Sequence, residues 1–373
     1  MRLCYVSPGP LVELPDIGLA LDAKSASGLQ AMAARWPGEL VVISGSTRKP
    51  VASDLDLTPI ASLGDSIDVR VSGDVAKQVS KIGASVILAL GRLDNAPLLS
   101  LEPPVVFTAE TTRSIRTDIA LATGSRSVLR RARIIAGAAR RERCLRAMYS
   151  SAAGLQCNGF AAFAQYSHLT RSVFFHDHRV TTDDINQTAR SPRVPKGDRF
   201  TAAFSGRMTP IKGAEHALRA LNELRALDTV DLIMIGDGEQ RPQLEALASS
   251  AIRFTGALDY RPHWLDLMRR EVDLLLLPHL QGDPSCTYFE ALGSGVPVIG
   301  YDNETLTPLL NTIPAGEAVQ KGDWAALAAL AAKCVTNPAP LRRWSDAGLE
   351  YMRQHSFEQT ITRRVDHLLE VAL

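Results

Sequence analysis

Short apolar runs alternate with amphipathic stretches along the whole chain. In the first half the apolar runs lie at 2–6, 39–43, 85–90, 104–109 and 172–176. In the second half they lie at 200–205, 230–236, 252–256, 272–278 and 296–300. Strands that alternate with helices in this way favour parallel sheets covered on both faces. The pattern therefore predicts an α/β protein with two doubly wound, Rossmann-like domains.

A polar segment separates the two series. Residues 181–199, TTDDINQTARSPRVPKGDR, contain two prolines and no hydrophobic periodicity, which is typical of a linker. We therefore predict an N-terminal domain over 1–185 and a C-terminal domain over 195–356. The last segment, 357–373, has the pattern of an amphipathic helix, and we consider packing back onto the N-terminal domain as one position for it.

Length and composition agree with a two-domain globular protein. The chain has 373 residues and a net charge of +1, so its overall charge gives no reason to expect nucleic-acid binding. Five scattered cysteines form no CxxC pair, which argues against a disulfide framework or a zinc site and favours a reducing compartment. The first residues lack the apolar stretch of a signal peptide, and no run is long enough to span a bilayer. The expected location is cytoplasmic, with attachment to the inner face of the membrane left open.

A first segment with candidate chemistry follows the strand at 200–205. It reads GRMTPIKG and contributes Gly206, Arg207, Lys212 and Gly213 just before a predicted helix. Backbone N–H groups at a helix start, together with a guanidinium and an ammonium group, suit a diphosphate. The alternative is that both charges are solvated surface residues.

A second segment follows the strand at 272–278. Small or turn-forming residues lead from that strand into a helix: Asp283, Pro284, Ser285, Cys286 and Thr287. Glu290 lies one turn into the helix, where its carboxylate can accept hydrogen bonds from two vicinal hydroxyls, as on a ribose. The alternative is that Glu290 only complements the helix dipole.

Four motifs in this order carry a family resemblance: GRMTPIKG, LIMIGDGEQRPQLEALA, IRFTGALDY and LLLLPHLQGDPSCTYFEALGSGVPVIG. Together they resemble the C-terminal domain of group 1 retaining glycosyltransferases. The resemblance is strong over about residues 200–300 and extends to the N-terminal half only in outline. It implies the GT-B fold, in which two Rossmann-like domains face each other across a cleft. It also implies transfer of a sugar from a nucleotide diphosphate sugar to a saccharide acceptor, without a metal or other cofactor.

The resemblance also implies roles for individual residues. Arg207 and Lys212 hold the donor diphosphate and stabilise it as it departs. Glu290 binds the nucleotide ribose, the turn at Ala257 and Leu258 meets the nucleobase, and the segment from Asp283 to Thr287 surrounds the donor sugar and its phosphate.

One position departs from the family pattern. The family usually has a glutamate eight residues before the one that matches Glu290, and it faces the donor sugar hydroxyls. Gly282 stands at that position here. The expected substitutes are Asp283, one residue away, or the backbone groups of 283–286.

Two residues of the N-terminal half are candidates for the same site. Gly9, between two prolines after the first strand, would allow close approach of the backbone to the donor, or is simply a turn glycine. Glu110 follows a later strand and would orient the acceptor or stabilise positive charge at the anomeric carbon. The alternative for Glu110 is an ion pair with Arg113 or Arg116. After Gly9, we expect the next helix to begin only near Ser27.

The stretch from Thr111 to Arg146 is strongly basic. It contains ten arginines against Asp118 and Glu142, with apolar positions between them. This pattern predicts an amphipathic helix for an anionic membrane surface or an acceptor phosphate, for which we select Arg130, Arg131, Arg140 and Arg141. The alternative is a solvated helix face. The stretch has no aromatic residue, which argues against nucleic-acid binding.

Other interpretations remain beside the transferase. His176 and His178 have the spacing of metal ligands on a strand, but no partner cluster is visible, so we predict no metal site. A nucleotide-sugar 2-epimerase has the same fold, although the two segments fit a transferase better. A non-catalytic nucleotide-sugar-binding partner protein is the alternative that Gly282 suggests.

Overall fold

The computed structural model describes residues 1–51, 54, 56–122, 127–190, 199–227 and 229–373. These residues form two compact units. The first comprises Met1–Arg113, Ala132–Phe175 and Glu358–Leu373, and the second comprises Ser114–Arg131 and His176–Phe357. The predicted start of the second domain, residue 195, lies outside the described residues.

The first unit is built on a parallel sheet. Its strands are β1 (Arg2–Val6), β2 (Leu11–Leu14), β3 (Gly18–Asp22), β4 (Glu39–Ser44), β5 (Thr47–Arg48), β6 (Leu57–Pro59), β7 (Ile67–Val71), β8 (Val86–Leu90), β9 (Val105–Ala109), β10 (Gly154–Asn158) and β11 (Ser172–Phe175). As far as the described residues show, the main sheet has the order β11-β10-β9-β8-β1-β4-β7, and every neighbouring pair in it is parallel. A small mixed sheet, β5-β2-β3-β6, accompanies it.

The first five helices connect or flank these strands. They are α1 (Ala23–Ala33), α2 (Val75–Ser80), α3 (Arg113–Ala122), α4 (Val128–Ser150) and α5 (Gly159–Tyr166). Short 3-10 helices lie at Ile60–Ser62 and Leu93–Ser100. The prediction that the first helix begins near Ser27 was wrong. Asp22 accepts a hydrogen bond from the Ser25 N–H and caps a helix that begins at Ala23.

The second unit is built on another parallel sheet. Its strands are β12 (Phe200–Ser205), β13 (Val230–Ile235), β14 (Ile252–Gly256), β15 (Leu274–Leu277), β16 (Val298–Tyr301) and β17 (Gly316–Val319). Within the described part of the chain the order is β14-β13-β12-β15-β16-β17, and all pairs are parallel. The side chains of β15 are fully buried, as expected for a strand covered on both faces.

The remaining helices follow in chain order. They are α6 (Thr182–Arg190), α7 (Ala214–Leu224), α8 (Arg241–Leu247), α9 (Leu265–Arg270), α10 (Cys286–Gly293), α11 (Leu306–Thr312), α12 (Trp324–Thr336), α13 (Ala339–Gln354) and α14 (Phe357–Ala372). A 3-10 turn at Pro210–Lys212 precedes α7, and a π-helical turn at Tyr260–Trp264 precedes α9.

Helix α6 lies where an aperiodic linker is predicted. Its first turn is closed by a capping box, in which the Asp184 N–H donates to Thr181 Oγ1 and the Thr181 N–H donates to Asp184 Oδ2. The two acidic residues at positions 183 and 184 also favour a helix start. The rest of the predicted linker, 191–198, lies outside the described residues.

Helix α14 belongs to the first unit. Its residue Arg364 donates a hydrogen bond to the Gln156 side chain, which in turn donates to the Arg364 carbonyl. Gln156 is buried on β10, and these two bonds satisfy its amide. This pairing allows a polar side chain to lie inside the sheet. The apolar runs therefore did not predict β10, which contains the polar residues Gln156 and Asn158.

Candidate active site

The strand order of the second unit creates a crevice between β12 and β15. Counting from β12, the sheet has the order 3-2-1-4-5-6, so the connections turn to opposite sides at this pair of strands. Ligands of open α/β sheets bind at such a switch point, outside the carboxyl ends of the strands. Both segments selected from the sequence follow these two strands, at 206–213 and 278–286.

The loop after β12 places its two basic residues differently. Gly206 directly follows the strand, and its N–H donates to the Ile235 carbonyl. Arg207 is exposed, and its side chain has no ion-pair partner among the described residues. Lys212, in contrast, is buried at the end of the 3-10 turn. An exposed and a buried positive charge thus share one loop.

Gly213 lets the loop turn into α7. It has a φ of 67°, in the left-handed region, and a Cβ there would lie 2.9 Å from the Pro278 carbonyl carbon. Only glycine fits this conformation at this distance without displacing the backbone. The close approach brings the start of α7 against the end of β15, and so brings the two segments together.

An ion pair joins the two segments. Lys212 Nζ donates to Asp283 Oδ1 at 3.0 Å and to Oδ2 at 3.1 Å. Both carboxylate oxygens of Asp283 are therefore bound to the buried ammonium group. This contact competes with the role predicted for Asp283, which is to replace the glutamate absent at Gly282.

Several buried polar atoms in these two loops and in the loop after β16 have no hydrogen-bond partner among the described residues. They are Thr209 Oγ1, both ring nitrogens of His279, Gln281 Nε2 and Glu304 Oε2. A buried polar atom without a partner is costly, and folded proteins contain few of them. Their concentration at the carboxyl ends of the neighbouring strands β12, β15 and β16 indicates a site built to be completed by water or a ligand.

His279 contributes a neutral imidazole to this site. It is fully buried, and its burial, followed by the positive charge of Lys212, lowers its pKa well below 6.5. Its ring lies 5.1 Å from that of Tyr288, whose hydroxyl accepts a hydrogen bond from Asn303.

The loop after β15 leads directly into α10. Ser285 occupies the position before the helix, and its hydroxyl makes no capping bond to the first turn. Ser285 is buried, whereas Pro284, Cys286 and Thr287 are half-buried. Because Ser285 does not cap the helix with its side chain, the start of α10 has the character of an anion site, as expected for a phosphate there.

Glu290 is buried one turn into α10 and is held by an arginine. Arg179 Nε donates to Glu290 Oε1 at 3.1 Å, and the guanidinium lies 4.1 Å above the ring of Tyr260. Burial is the largest single influence on the pKa of Arg179 and lowers it, but Glu290, Cys286 and Tyr260 together raise this pKa above its usual value. Sequence reasoning missed both residues: Arg179 lies in no recognised motif, and Tyr260 ends the IRFTGALDY motif but received no role.

The predicted nucleobase edge lies after β14. Ala257 is exposed, and Leu258 is half-buried. Leu258 lines a shallow cavity of about 440 Å³ with Phe254, Thr255 and other residues of β14 and α9. The residues lining this cavity do not include those of the two loops.

The candidates of the first unit lie at the ends of its parallel strands. Gly9 follows β1, at the switch point between β1 and β8, and a Cβ built on it would meet no atom within 4 Å. Its carbonyl accepts hydrogen bonds from Ser7 and Ser44, so the loop is fixed by its backbone. Glu110 directly follows β9 and is half-buried.

The two histidines with metal-like spacing are structural. His176 Nε2 lies 2.7 Å from the Tyr351 hydroxyl, and its ring stacks on Phe289. His178 Nε2 lies 2.7 Å from the His355 carbonyl. No group of three potential metal ligands was found among the described residues.

The arginine-rich stretch forms most of α4. Arg130, Arg131, Arg140 and Arg141 are all exposed, and so are Val128, Leu129 and Ile135. Glu142 is buried and accepts hydrogen bonds from Gln165 and Tyr166. The exposed face is therefore cationic and partly apolar. Arg126 lies outside the described residues. In the part of the chain that the structure describes, no helix has the length and apolarity to cross a bilayer.

Comparison with known proteins shows what the second unit resembles. Residues 199–337, which contain both loops, match the family model described as glycosyl transferases group 1. This segment of the second unit is similar to group 1 glycosyltransferases. A curated relative, the 2-deoxystreptamine glucosyltransferase of Streptomyces kanamyceticus, is 28% identical over 155 residues, which are 40% of this chain and 40% of that protein.

Solved glycosyltransferase structures share the fold of nearly the whole chain. HepE of Anabaena, in complex with UDP-glucose, has a TM-score of 0.65 and 15% identity over 99% of both chains. WaaG, a glycosyltransferase involved in lipopolysaccharide biosynthesis, has a TM-score of 0.64 and 14% identity over 98% of this chain and 99% of its own. Sucrose-phosphate synthase of Thermosynechococcus elongatus has a TM-score of 0.65 and 14% identity over 99% and 98%. These structures confirm the predicted GT-B fold, and the family model confirms the resemblance to group 1 glycosyltransferases over residues 199–337.

Proposed function

We propose that the protein transfers a sugar, with retention of configuration, from a nucleoside diphosphate sugar to a saccharide acceptor. The observation that carries the proposal is the crevice between β12 and β15. It places the buried ammonium of Lys212, the uncapped start of α10 and the buried carboxylate of Glu290 on two adjoining loops. HepE, which shares the fold, binds UDP and UDP-glucose.

The donor would be held by complementary charges. Lys212, Arg207 and the N–H groups at the start of α10 would bind the diphosphate, and Glu290 would accept hydrogen bonds from the ribose hydroxyls. Arg179 would fix the orientation of Glu290 through the bond to Oε1 and leave Oε2 for the ribose.

Catalysis would act on the leaving group. As the bond between the anomeric carbon and the diphosphate oxygen breaks, negative charge grows on that oxygen, where Lys212 and Arg207 stabilise it. The departing oxygen takes the proton of the acceptor hydroxyl, and the acceptor oxygen bonds the anomeric carbon from the same face. No metal or further cofactor is required, because the two cations neutralise the diphosphate. Glu110 is the proposed residue for orienting the acceptor.

A thermal-shift panel followed by turnover tests the proposal. Nucleoside diphosphates and their sugars should raise the melting temperature, and transfer should yield a new glycoside with free nucleoside diphosphate. An isomerised nucleotide sugar would indicate an epimerase instead, and binding without turnover of any acceptor would indicate a binding protein. Lys212→Ala should lower kcat by about 100-fold or more, whereas the exposed Lys333→Ala should not.

We also propose that the exposed face of α4 binds an anionic membrane surface and thereby brings the enzyme to a lipid-linked saccharide. Clustered arginines flanked by exposed apolar side chains are the pattern of an interfacial helix. Val128 and Leu129 are 80% and 73% exposed at the start of this helix. Such exposure of large aliphatic side chains beside arginines favours a membrane over a merely solvated face.

Co-sedimentation with vesicles tests the membrane proposal. The protein should bind vesicles with anionic lipids, fail to bind neutral ones, and dissociate at high salt, because the attraction is screened over about 8 Å at physiological salt. Four substitutions to glutamine on α4 should abolish binding: Arg130, Arg131, Arg140 and Arg141. A control carries the same change at four exposed arginines of the second unit: Arg225, Arg270, Arg342 and Arg343. Equal binding of both vesicle types would refute the proposal.

A further inference from the structure

The backbone around Gly282 leaves no room for a side chain. A Cβ built on Gly282 would lie 2.8 Å from both the Cβ and the backbone nitrogen of Glu304, closer than real Cβ atoms approach other groups. The loop after β16 is held there by Thr305, whose hydroxyl donates to the carbonyl oxygens of Gly282 at 2.8 Å and Asp283 at 3.1 Å. The space that a side chain at position 282 would occupy is thus filled by Glu304.

The carboxylate of Glu304 is unsatisfied at this point. Its Oε2 is shut off from solvent and has no hydrogen-bond partner among the described residues, whereas the residue as a whole is only half-buried. A carboxylate oxygen in this situation needs a donor, and a ligand hydroxyl supplies one.

A second unpartnered group flanks the same glycine. Gln281 is 2% exposed, and its Nε2 has no partner within the described part of the chain. Its Oε1 accepts the Asp283 N–H at 2.9 Å, which fixes the orientation of the amide. Glu304, which packs against Gly282, thus offers an acceptor, and Gln281, the residue before Gly282, offers a donor, and hydroxyl recognition uses both kinds of group.

Asp283 is less suited to this task. Both of its carboxylate oxygens accept hydrogen bonds from Lys212 Nζ, so its charge is committed to the buried ammonium. Glu304 is therefore an alternative to Asp283 as the replacement for the glutamate absent at Gly282, and the sequence pattern did not reveal it.

We propose that Glu304, assisted by Gln281, binds the hydroxyl groups of the donor's sugar in place of a side chain at position 282. Glu304 is then a residue that determines donor specificity. The inference rests on the proposed function, because it requires that the site between β12 and β15 holds a nucleoside diphosphate sugar.

The test compares each nucleotide sugar with its parent nucleoside diphosphate on the same sample. The probes are UDP, GDP and ADP, with UDP-glucose, UDP-N-acetylglucosamine, GDP-mannose and ADP-glucose, and affinities are measured by calorimetry. Glu304→Gln keeps the shape and removes the charge. It should lower the affinity for the preferred nucleotide sugar by at least about tenfold. The affinity for the parent diphosphate should change by less than about twofold, because only the sugar loses a charge-assisted hydrogen bond.

Two further variants separate recognition from structure. Glu304→Asp keeps the charge but moves it one methylene away from the sugar. It should also lower the affinity for the nucleotide sugar, by less than Glu304→Gln does. Glu317→Gln, on the exposed edge strand β17, is the matched control and should change neither affinity. Unfolding curves without ligand show whether each variant is folded.

The outcomes are distinguishable. If wild-type protein binds no nucleoside diphosphate or nucleotide sugar, the proposed function itself fails. If wild-type protein binds them but Glu304→Gln weakens both ligands equally, or neither, then Glu304 has only a structural role and this inference is overturned. If Asp283→Asn, but not Glu304→Gln, causes the sugar-dependent loss, Asp283 is the recognising carboxylate.

Discussion

The ion pair between Lys212 and Asp283 allows a quantitative prediction about stability and ligand binding together. Its nitrogen and oxygen atoms are 3.0 Å apart, and the side chains are 8% and 25% exposed. At an effective dielectric constant near 20, two unit charges at this distance attract by about 5 kcal/mol. Desolvation of both groups offsets much of this attraction. We therefore expect a coupling free energy of about 1–3 kcal/mol in a double-mutant cycle on unfolding.

The two single variants should differ, because the two groups are not equally buried. Asp283→Ala leaves an unpaired ammonium that water hardly reaches, and should cost about 3–5 kcal/mol of stability. Lys212→Met leaves a carboxylate that is a quarter exposed and can be hydrated, so its cost should be smaller. Urea unfolding at pH 7 measures the stability of the two single variants and of the double variant. The exposed pair Arg199–Asp231 serves as the control, with an expected coupling free energy below about 1 kcal/mol.

A nucleoside diphosphate should change this order. In Asp283→Ala the ligand provides the partner that the ammonium has lost, so the rise in melting temperature on adding the diphosphate should exceed that of the wild type. In Lys212→Met the rise should be much reduced. Equal ligand-induced shifts in all variants, or a coupling free energy no larger than that of Arg199–Asp231, would refute the view that the ammonium of Lys212 is paired with Asp283 and also binds the diphosphate.

Three further predictions concern single residues of the second unit. Glu290→Gln should weaken nucleoside diphosphate binding by about 1–3 kcal/mol in calorimetry and leave the protein folded, because the amide keeps the shape of the side chain; unchanged affinity would exclude the ribose contact. Gly213→Ala should lower stability in urea by about 2–4 kcal/mol, because of its φ of 67° and the nearby Pro278 carbonyl; Gly137→Ala, on an open helix surface, should not. Burial holds the pKa of His279 well below 6.5 in the folded state. As the pH decreases below 6.5, only the unfolded chain takes up this proton, so the folded protein becomes less stable. Between pH 6.5 and 5.5 this group should contribute a loss of about 1 kcal/mol, which His279→Gln should abolish; equal pH dependence of both proteins would contradict this.

The sequence by itself determined the two parallel sheets and the two loops of the site. Each of the ten predicted apolar runs overlaps an observed strand, because the strands of a parallel sheet covered on both faces are mostly apolar. The position of Arg207, Lys212 and Glu290 after β12 and β15 also follows from chain order, since strand ends carry the loops of an α/β sheet. Helix α6 was missed although its capping box is visible in the sequence, because its polar composition gives little apolar periodicity.

Only the tertiary structure decided which groups meet within the site. Lys212 and Asp283 are far apart in sequence, and so are Arg179 and Glu290, and nothing in local pattern pairs them. Glu304 lies beside Gly282 because the loop after β16 folds against the end of β15. The sequence motif shows only that the glutamate usual in the family is absent at position 282. The residue that occupies the vacated space follows from the packing of separate loops, which depends on long-range contacts rather than on neighbours along the chain.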